Sequence, residues 1–297
     1  MKHKKAAVIL TGTTGLSYVT YKKISNDIFN QAFKREDRSI ILDKKYAEWA
    51  NNSKCVKVKI NSFDNLQLVA YNFHNNDTNN YIILVHGING SKESMLNYAY
   101  EFDKLGYNTL VIDQRSAGES EGDYYTYGFK ESQDIPLWIN YLKEKNNDVK
   151  IVLFGISMGA ATIMMSTAYK LDESVKCIVE DSGFSSLEEE LKHYLNRDYN
   201  RITANLVLNF LKSKMENIFG IKMSDVSIKN VLDNNEIPIL FIHGEQDKLV
   251  PFDMAKILYN HNKGIKKYYP VPDVDHCKAY EDEYYFTNID NFIKEYL

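Results

Sequence analysis

Apolar and polar positions alternate along most of this chain in a way that predicts β-strands separated by helices. Short, nearly uninterrupted apolar runs, such as residues 81–85, 109–112 and 150–154, are typical of strands that are covered on both faces. Longer segments with apolar residues at helical spacing lie between these runs. Repeated alternation of this kind predicts an α/β fold, with a mostly parallel sheet and helices on both of its faces.

The predicted strands begin with a hairpin, which adds antiparallel strands at one edge of the sheet. The strands are predicted at Val56–Ile60, Leu66–Tyr71, Tyr81–Val85, Thr109–Ile112, Lys150–Phe154, Val175–Val179, Ile239–Ile242 and Lys266–Tyr269. The helices of this part are predicted at Lys92–Lys104, Phe129–Lys145, from Ser157 to about Lys170, Phe252–Asn260 and Tyr280–Leu297.

One segment interrupts the alternation. Residues 185–232 are too long for a single crossover helix, and apolar residues recur at helical spacing first at Leu187 and Leu191, then at Leu206 and Phe210. We predict an inserted cap of two or more helices there. Its apolar residues are expected to serve packing and also to line a pocket.

The N-terminal part has a different pattern. Residues 1–5 are basic, residues 6–21 carry no charge, and Lys22 and Lys23 follow. This order predicts a membrane anchor over residues 1–23, with the rest of the chain outside the cytoplasm by the positive-inside tendency. A cleaved signal, or a helix packed on the domain of a cytoplasmic protein, is the alternative. Residues 24–53 are predicted as a helical extension, and residues 54–297 as the α/β domain.

Composition excludes several classes of partner. A net charge of −4 over 297 residues gives no indication of a nucleic-acid partner. The three cysteines, Cys55, Cys177 and Cys277, show no paired spacing, which argues against a disulfide framework and a zinc site.

The sequence Gly155-Ile156-Ser157-Met158-Gly159 fits the pattern G-x-S-x-G, between a predicted strand and a predicted helix. A tight turn of this kind strains the serine backbone and exposes its hydroxyl above the helix N-terminus. The unpaired N–H groups of that helix end are suited to stabilise an oxyanion. A serine hydroxyl becomes a good nucleophile only when a neighbouring base takes its proton. The pattern therefore makes Ser157 a candidate nucleophile.

Further motifs follow other predicted strands at the same edge of the sheet, where open α/β sheets bind ligands. In chain order they are HGxxG at 86–90, DxRxxGxS at 113–120, GxSxG at 155–159, GxxDxxVP at 244–251 and DxDH at 273–276. This series resembles the α/β-hydrolase fold, and in particular bacterial serine hydrolases with an N-terminal helical extension and a helical cap. The resemblance covers about residues 54–297.

The resemblance implies a catalytic triad with Ser157 as nucleophile, Asp247 as acid and His276 as base, in the chain order usual for the fold. His276 also suits the base on position, because its loop between the last strand and the last helix can reach the serine. Glu180 and Asp181 are alternatives for the acid, since some relatives place the acid after the strand that precedes the cap, which is predicted here at Val175–Val179.

The backbone N–H groups of Met158 and Ile88 are expected to form the oxyanion hole. The strand-end residues Asp113 and Arg115 are expected to brace loops rather than to act in catalysis. His86 and His243 precede glycines at strand ends and are expected to brace the turns.

The resulting functional prediction is a carboxylesterase, a serine hydrolase of small or medium acyl esters that acts through an acyl-serine intermediate without a metal or organic cofactor. Two alternatives are a peptidase of the prolyl-oligopeptidase type, whose usual N-terminal propeller is missing here, and a non-catalytic, membrane-tethered binding protein that kept the fold. The pattern does not distinguish acyl or alcohol groups, esterase from thioesterase activity, or oligomeric states.

Overall fold

The computed structural model describes residues 16–36 and 40–297. It divides the chain into two compact units. One unit joins the described residues up to Lys34 with Ser186–Val226, and the other consists of Arg35–Ser185 and Ser227–Leu297.

The described residues of the second unit form one sheet of eight strands. The strands are β1 Cys55–Asn61, β2 Gln67–Phe73, β3 Asn80–Val85, β4 Asn108–Ile112, β5 Lys150–Ile156, β6 Val175–Asp181, β7 Ile239–Gly244 and β8 Lys266–Val271. Their order across the sheet is β1-β2-β4-β3-β5-β6-β7-β8. The pairs β1–β2 and β2–β4 are antiparallel, and all other pairs are parallel. The predicted α/β-hydrolase fold class is confirmed.

The helices of both units follow the same numbering. They are α1 Leu16–Phe33, α2 Lys44–Asn52, α3 Leu96–Lys104, α4 Glu131–Lys145, α5 Met158–Ser166, α6 Leu187–Asp198, α7 Arg201–Phe219, α8 Ile228–Leu232, α9 Phe252–His261 and α10 Tyr285–Lys294. Short 3₁₀ helices cover Lys92–Met95, Met223–Asp225 and Ala279–Glu281.

The core of the second unit lies on both faces of the sheet. Alternate residues of the central strands point to one face, where they pack with buried residues of α3 and α10; on β3 and β5 they are Ile82, Leu84, Val152 and Phe154. Every residue of β4 is buried, which accounts for the three consecutive apolar residues at its end, Leu110–Ile112. The edge strand β1 is mostly exposed and alternates apolar with polar residues. This arrangement places the carboxyl ends of β3 to β8 along one edge.

The first unit is a helical assembly of α1, α6 and α7. Phe29 of α1 stacks on Phe33 and on Phe219 of α7, with ring centroids 4.7 Å and 6.0 Å apart. Lys214 of α7 donates to the side chain of Asn26 at 2.5 Å. Ser186 caps the N-terminus of helix α6, because its hydroxyl accepts from the N–H of Glu189. Residues far apart in the sequence thus form one small core.

The predicted membrane anchor over residues 1–23 is wrong. Residues 1–15 lie outside the described residues, and residues 16–23 begin α1, in which Lys22, Lys23 and Asp27 interrupt any apolar run. No helix in the described part of the chain is long and apolar enough to cross a membrane. The placement outside the cytoplasm depended on that anchor and is not supported either.

Candidate active site

Ser157 lies at the sharp turn between β5 and α5. Its backbone has φ 54° and ψ −119°, an unfavourable conformation for a residue with a side chain. The two flanking residues must be glycines, because backbone atoms occupy the space that a Cβ would need. A Cβ on Gly159 would lie 2.1 Å from the carbonyl oxygen of Val85, and one on Gly155 would lie 2.5 Å from the backbone of Gly159. Strand and helix therefore approach closely and hold the serine at the end of the strand.

The structure brings His276 and Asp247 together with Ser157. Nε2 of His276 lies 2.9 Å from Oγ of Ser157, and Nδ1 of His276 lies 2.7 Å from Oδ2 of Asp247. Because Nδ1 faces a carboxylate, it carries the proton of the neutral ring, and Nε2 is left to accept from the serine hydroxyl. This geometry is the one that general-base activation of a serine requires.

Asp247 is held by four donors. Its Oδ1 accepts from the backbone N–H groups of Leu249 and Val250 at 2.9 and 2.8 Å, and its Oδ2 faces His276 and, at 3.1 Å, Nε2 of His243. Burial acts to raise the pKa of this carboxyl, but the hydrogen bonds and charge of the two histidines hold its pKa well below the usual range. Asp247 is therefore an anion with a fixed orientation at neutral pH.

The alternative acids have other partners. Asp181 accepts from the hydroxyl of Tyr285 at 2.7 Å and from that of Ser182 at 2.8 Å. Glu180 accepts from the N–H of Gly183 at 3.0 Å. Of the three carboxyls considered from the sequence, Asp247 is the one at hydrogen-bond distance from His276.

The loop after β3 passes beside the nucleophile. A Cβ on Gly87 would lie 3.2 Å from the Cβ of Ser157. Ile88 packs against a small cluster that contains Tyr125 and Met158. Met158 is the first residue of α5, so its N–H has no acceptor within the helix. The two backbone groups predicted as oxyanion donors thus belong to segments that meet near Ser157.

His86 fixes the orientation of this loop. Its Nε2 accepts from the N–H of Gln114 at 3.1 Å, so Nδ1 carries the proton and donates to the carbonyl of Gly87 at 2.7 Å. Burial lowers the pKa of His86, which favours this neutral form. The N–H of Ile88 belongs to the same peptide plane and points away from that carbonyl. His86 therefore sets the direction of the Ile88 N–H.

Two residues that sequence reasoning missed connect this loop to the serine helix. The side chain of Gln114 donates to the carbonyl of His86 at 2.6 Å and accepts from the hydroxyl of Thr162 at 2.8 Å. Thr162 lies on α5, one turn beyond Met158. Gln114 occupies an unspecified position of the motif at 113–120, and Thr162 lies outside the motifs, so the sequence marked neither residue.

The charged residues of the loop after β4 brace neighbouring segments. Arg115 forms hydrogen-bonded ion pairs with Asp134 of α4 and with Asp64 of the β1–β2 turn. Asp113 pairs at 2.7 Å with Lys92, whose side chain is completely buried. Lys92 was not singled out from the sequence, where it reads as an ordinary helix-start lysine. Over residues 16–36 and 40–297, no cluster of three or more His, Cys, Asp or Glu side chains is arranged to hold a metal ion.

Comparisons with known sequences agree with this fold. The family profile described as alpha/beta hydrolase fold matches residues 80–220. The uncharacterized protein YqkD of Bacillus subtilis strain 168 is 30% identical over 212 residues, which cover 71% of this chain and 69% of that protein. The uncharacterized protein YfhR of Escherichia coli O157:H7 is 26% identical over 217 residues, 71% of this chain and 69% of that protein.

Solved structures with a similar fold include two proteins named as Pf2001 and Est1E. The Pyrococcus furiosus esterase Pf2001 has a TM-score of 0.67 at 22% identity, and the match covers 88% of this chain and 99% of the esterase. Est1E of Butyrivibrio proteoclasticus, solved with bound ferulic acid, has a TM-score of 0.60 at 19% identity, with 80% of this chain and 98% of Est1E covered. At these identities the likeness establishes the shared fold.

Proposed function

This chain belongs to the α/β-hydrolase family, and we propose that it is a serine carboxylesterase for esters with small or medium acyl groups. One observation carries the proposal. Ser157, His276 and Asp247 form a continuous hydrogen-bonded series with distances of 2.9 and 2.7 Å. Esterase activity is also named for Pf2001, which shares the fold.

In the first step the hydroxyl of Ser157 attacks the ester carbonyl while His276 takes the hydroxyl proton at Nε2. Asp247 stabilises the imidazolium that forms, because its anionic Oδ2 accepts from Nδ1. The negative charge that develops on the carbonyl oxygen is stabilised by the N–H groups of Met158 and Ile88. Collapse of the intermediate expels the alcohol, which receives the proton from His276.

In the second step water replaces the alcohol. His276 takes a proton from that water, the hydroxide attacks the acyl-serine carbonyl, and the acid leaves as Ser157 regains its proton. In both steps His276 carries the proton between the reacting oxygens, and its contacts with Ser157 and Asp247 hold its ring in place.

The test is covalent labelling combined with turnover. A fluorophosphonate should label the wild-type protein, and p-nitrophenyl esters of increasing acyl length should be hydrolysed with a maximum at short or medium chains. Ser157→Ala should lose both signals. Ser166→Ala is the matched control, because Ser166 is a buried serine on the same helix whose hydroxyl donates to the carbonyl of Ile163. Labelling that persists in Ser157→Ala, or wild-type protein inert toward all of these esters, would contradict the proposal.

A further inference from the structure

The acid and the base of the proposed triad lie on two neighbouring loops. Strands β7 and β8 are paired in parallel, so the loops that follow them leave the sheet side by side. The acid loop, residues 245–250, follows β7 and carries Asp247, and the base loop, residues 272–278, follows β8 and carries His276. The distance between these loops therefore decides whether the 2.7 Å hydrogen bond between the two side chains can form.

The base loop has an unfavourable backbone. Asp273 and Cys277, which lie on either side of His276, have φ values of 59° and 54°, in the left-handed region that residues with a side chain seldom adopt. Such residues keep this conformation only where the surrounding structure fixes it. The base loop therefore needs contacts with other segments to hold His276 in place.

Two backbone hydrogen bonds join the beginnings of the two loops. The N–H of Glu245 donates to the carbonyl of Val271 at 2.9 Å, and the N–H of Gln246 donates to the carbonyl of Val274 at 3.0 Å. The second bond requires the glycine at position 244, because a Cβ on Gly244 would lie 2.5 Å from the carbonyl oxygen of Val274. This backbone series ends before it reaches the acid itself.

The side chain of Asp275 continues the series. Its Oδ1 accepts from the N–H of Lys248 at 3.0 Å and from the N–H of His276 at 2.9 Å. Lys248 directly follows Asp247, so one carboxylate oxygen joins the backbone beside the acid with the backbone of the base. The N–H of Lys248, and then that of His276, lower the pKa of Asp275 below its ordinary value, so Asp275 is an anion at neutral pH. Hydrogen bonds to an ionised acceptor are stronger than those between neutral groups.

We propose that Asp275 is a positioning residue, which ties the acid loop to the base loop and so fixes the distance between Oδ2 of Asp247 and Nδ1 of His276. It acts through its two backbone donors, and no proton moves through it. Without this carboxylate the base loop can shift relative to the acid loop, and the hydrogen bond that orients the imidazole lengthens. This role rests on the proposed function, because it acts through the triad.

Another contact of the base loop is longer and leads to a different strand end. The N–H of Cys277 donates to Oγ of Ser182 at 3.4 Å, and Ser182 follows β6. This contact helps to hold the base loop, but it does not relate His276 to the acid. Asp275 is therefore the side chain at which the connection between the two loops can be tested.

The first test compares kcat and KM of the full chain with p-nitrophenyl acetate at neutral pH. Asp275→Ala removes both hydrogen bonds and should lower kcat roughly tenfold at nearly unchanged KM, because the imidazole is less often correctly placed. Asp275→Asn keeps an oxygen that can accept from both N–H groups, so its kcat should stay within about threefold of wild type. Asp275 is half-buried, so both variants should fold, and Asp275→Ser supplies the same loss of the carboxylate if Asp275→Ala does not.

Asp253→Ala is the matched control. The carboxylate of Asp253 lies in the first turn of α9, close after the acid loop, where it is largely exposed and pairs with Lys256 on the same helix. This variant should keep both kcat and KM. Equal kcat in Asp275→Ala and Asp253→Ala, or a loss in Asp275→Asn as large as that in Asp275→Ala, would overturn the proposal.

The second test does not depend on turnover. The ¹H NMR signal of the proton on Nδ1 of His276, assigned by its disappearance in His276→Gln, reports the bond to Asp247. It should lie far downfield in wild type, Asp275→Asn and Asp253→Ala, and should move upfield or broaden in Asp275→Ala. If the wild type hydrolyses no ester but shows this pattern, the proposed function fails and the positioning role stands. If the enzyme is active and the signal is the same in wild type and Asp275→Ala, the positioning role is overturned and the function stands.

Discussion

At the scale of single residues, the proposed mechanism depends on one carboxylate with a fixed orientation. Asp247→Asn should lower kcat by about 10⁴, because an amide favours the wrong tautomer of His276. Asp181→Asn should have a mild effect on kcat, since Asp181 bonds to Tyr285 and Ser182 instead. Steady-state kinetics with both variants checks this. A large loss in Asp181→Asn beside a small one in Asp247→Asn would place the acid on β6.

Sequence reasoning was most informative for residues that carry their own motif. Ser157, Asp247 and His276 each follow a predicted strand, and strand ends of a parallel sheet share one edge. The pattern could not show that His243 donates to Asp247, or that Asp181 bonds to Tyr285 of the last helix. Such contacts depend on how a loop folds back on its own strand and on which helix covers the strand, and the sequence of the strand alone encodes neither.

At the scale of elements, the first turn of α5 tolerates no side chain at Gly159. Gly159→Ala should destabilise the protein by about 3 kcal/mol or more, because the added Cβ would lie 2.1 Å from a backbone oxygen that cannot move freely. Urea unfolding measures the change.

Gly220→Ala is the control for glycine loss without a clash. Gly220 ends α7 with φ 68° and has nothing within 4 Å of an added Cβ. Its substitution should cost about 1 kcal/mol, the strain of a left-handed alanine. Equal effects of the two substitutions would show that the predicted clash is absorbed by movement of β3 or α5.

The link between α5 and the loop after β3 gives a second prediction at this scale. Thr162→Val removes the hydroxyl that donates to Gln114, which holds His86 and the Gly87–Ile88 peptide. We expect kcat to fall roughly tenfold with little change in KM, as for an imperfectly placed oxyanion donor. Thr167→Val removes a hydroxyl that donates only locally, to the carbonyl of Met164 in the last turn of α5, and should leave kcat unchanged. Equal kcat in both variants would contradict the link.

Element positions were predicted better than element ends. The apolar run at 109–112 became β4, Asn108–Ile112, with one residue added. Strand β6 continues two residues beyond its predicted end, to Asp181. The prediction stopped at Val179 because the next two residues carry carboxyl groups, which are typical of loops, although both are buried here. The last helix starts at Tyr285 rather than at residue 280, because a 3₁₀ turn occupies Ala279–Glu281.

At the scale of the whole molecule, stability should depend on pH through Glu180. Its pKa rises from 4.5 to about 8 on folding, so its favourable contribution is complete below pH 4.5 and is lost as the pH rises to about 8. Glu180→Gln should therefore gain stability relative to wild type by about 1.4 kcal/mol per pH unit across this window. Urea unfolding at pH 5, 7 and 9 checks the trend. A constant difference between the two proteins would contradict it.

The architecture of the large unit was predictable because strand alternation is a local property of the sequence. The composition of the small unit was not, since α1 and Ser186–Val226 are far apart in the chain. Amphipathic spacing shows which face of a helix will be buried, but it does not show which segment of the chain will pack against that face. The anchor prediction failed for a related reason: an uncharged run beside lysines does not by itself decide between lipid and protein contacts.

The strained backbone of Ser157 has a consequence for resistance to heat. A φ of 54° in a residue with a side chain costs on the order of 1–3 kcal/mol, and the native state carries that cost whether or not substrate is present. Glycine adopts this conformation freely, although it loses up to about 1 kcal/mol through chain entropy. Of two inactive variants, Ser157→Gly should therefore melt about 2 °C or more above Ser157→Ala in differential scanning calorimetry. A lower melting temperature for the glycine variant would mean that the strain in this turn is smaller than the entropy cost of glycine. If the difference is found, the conformation that presents the reactive hydroxyl costs the protein part of its resistance to heat.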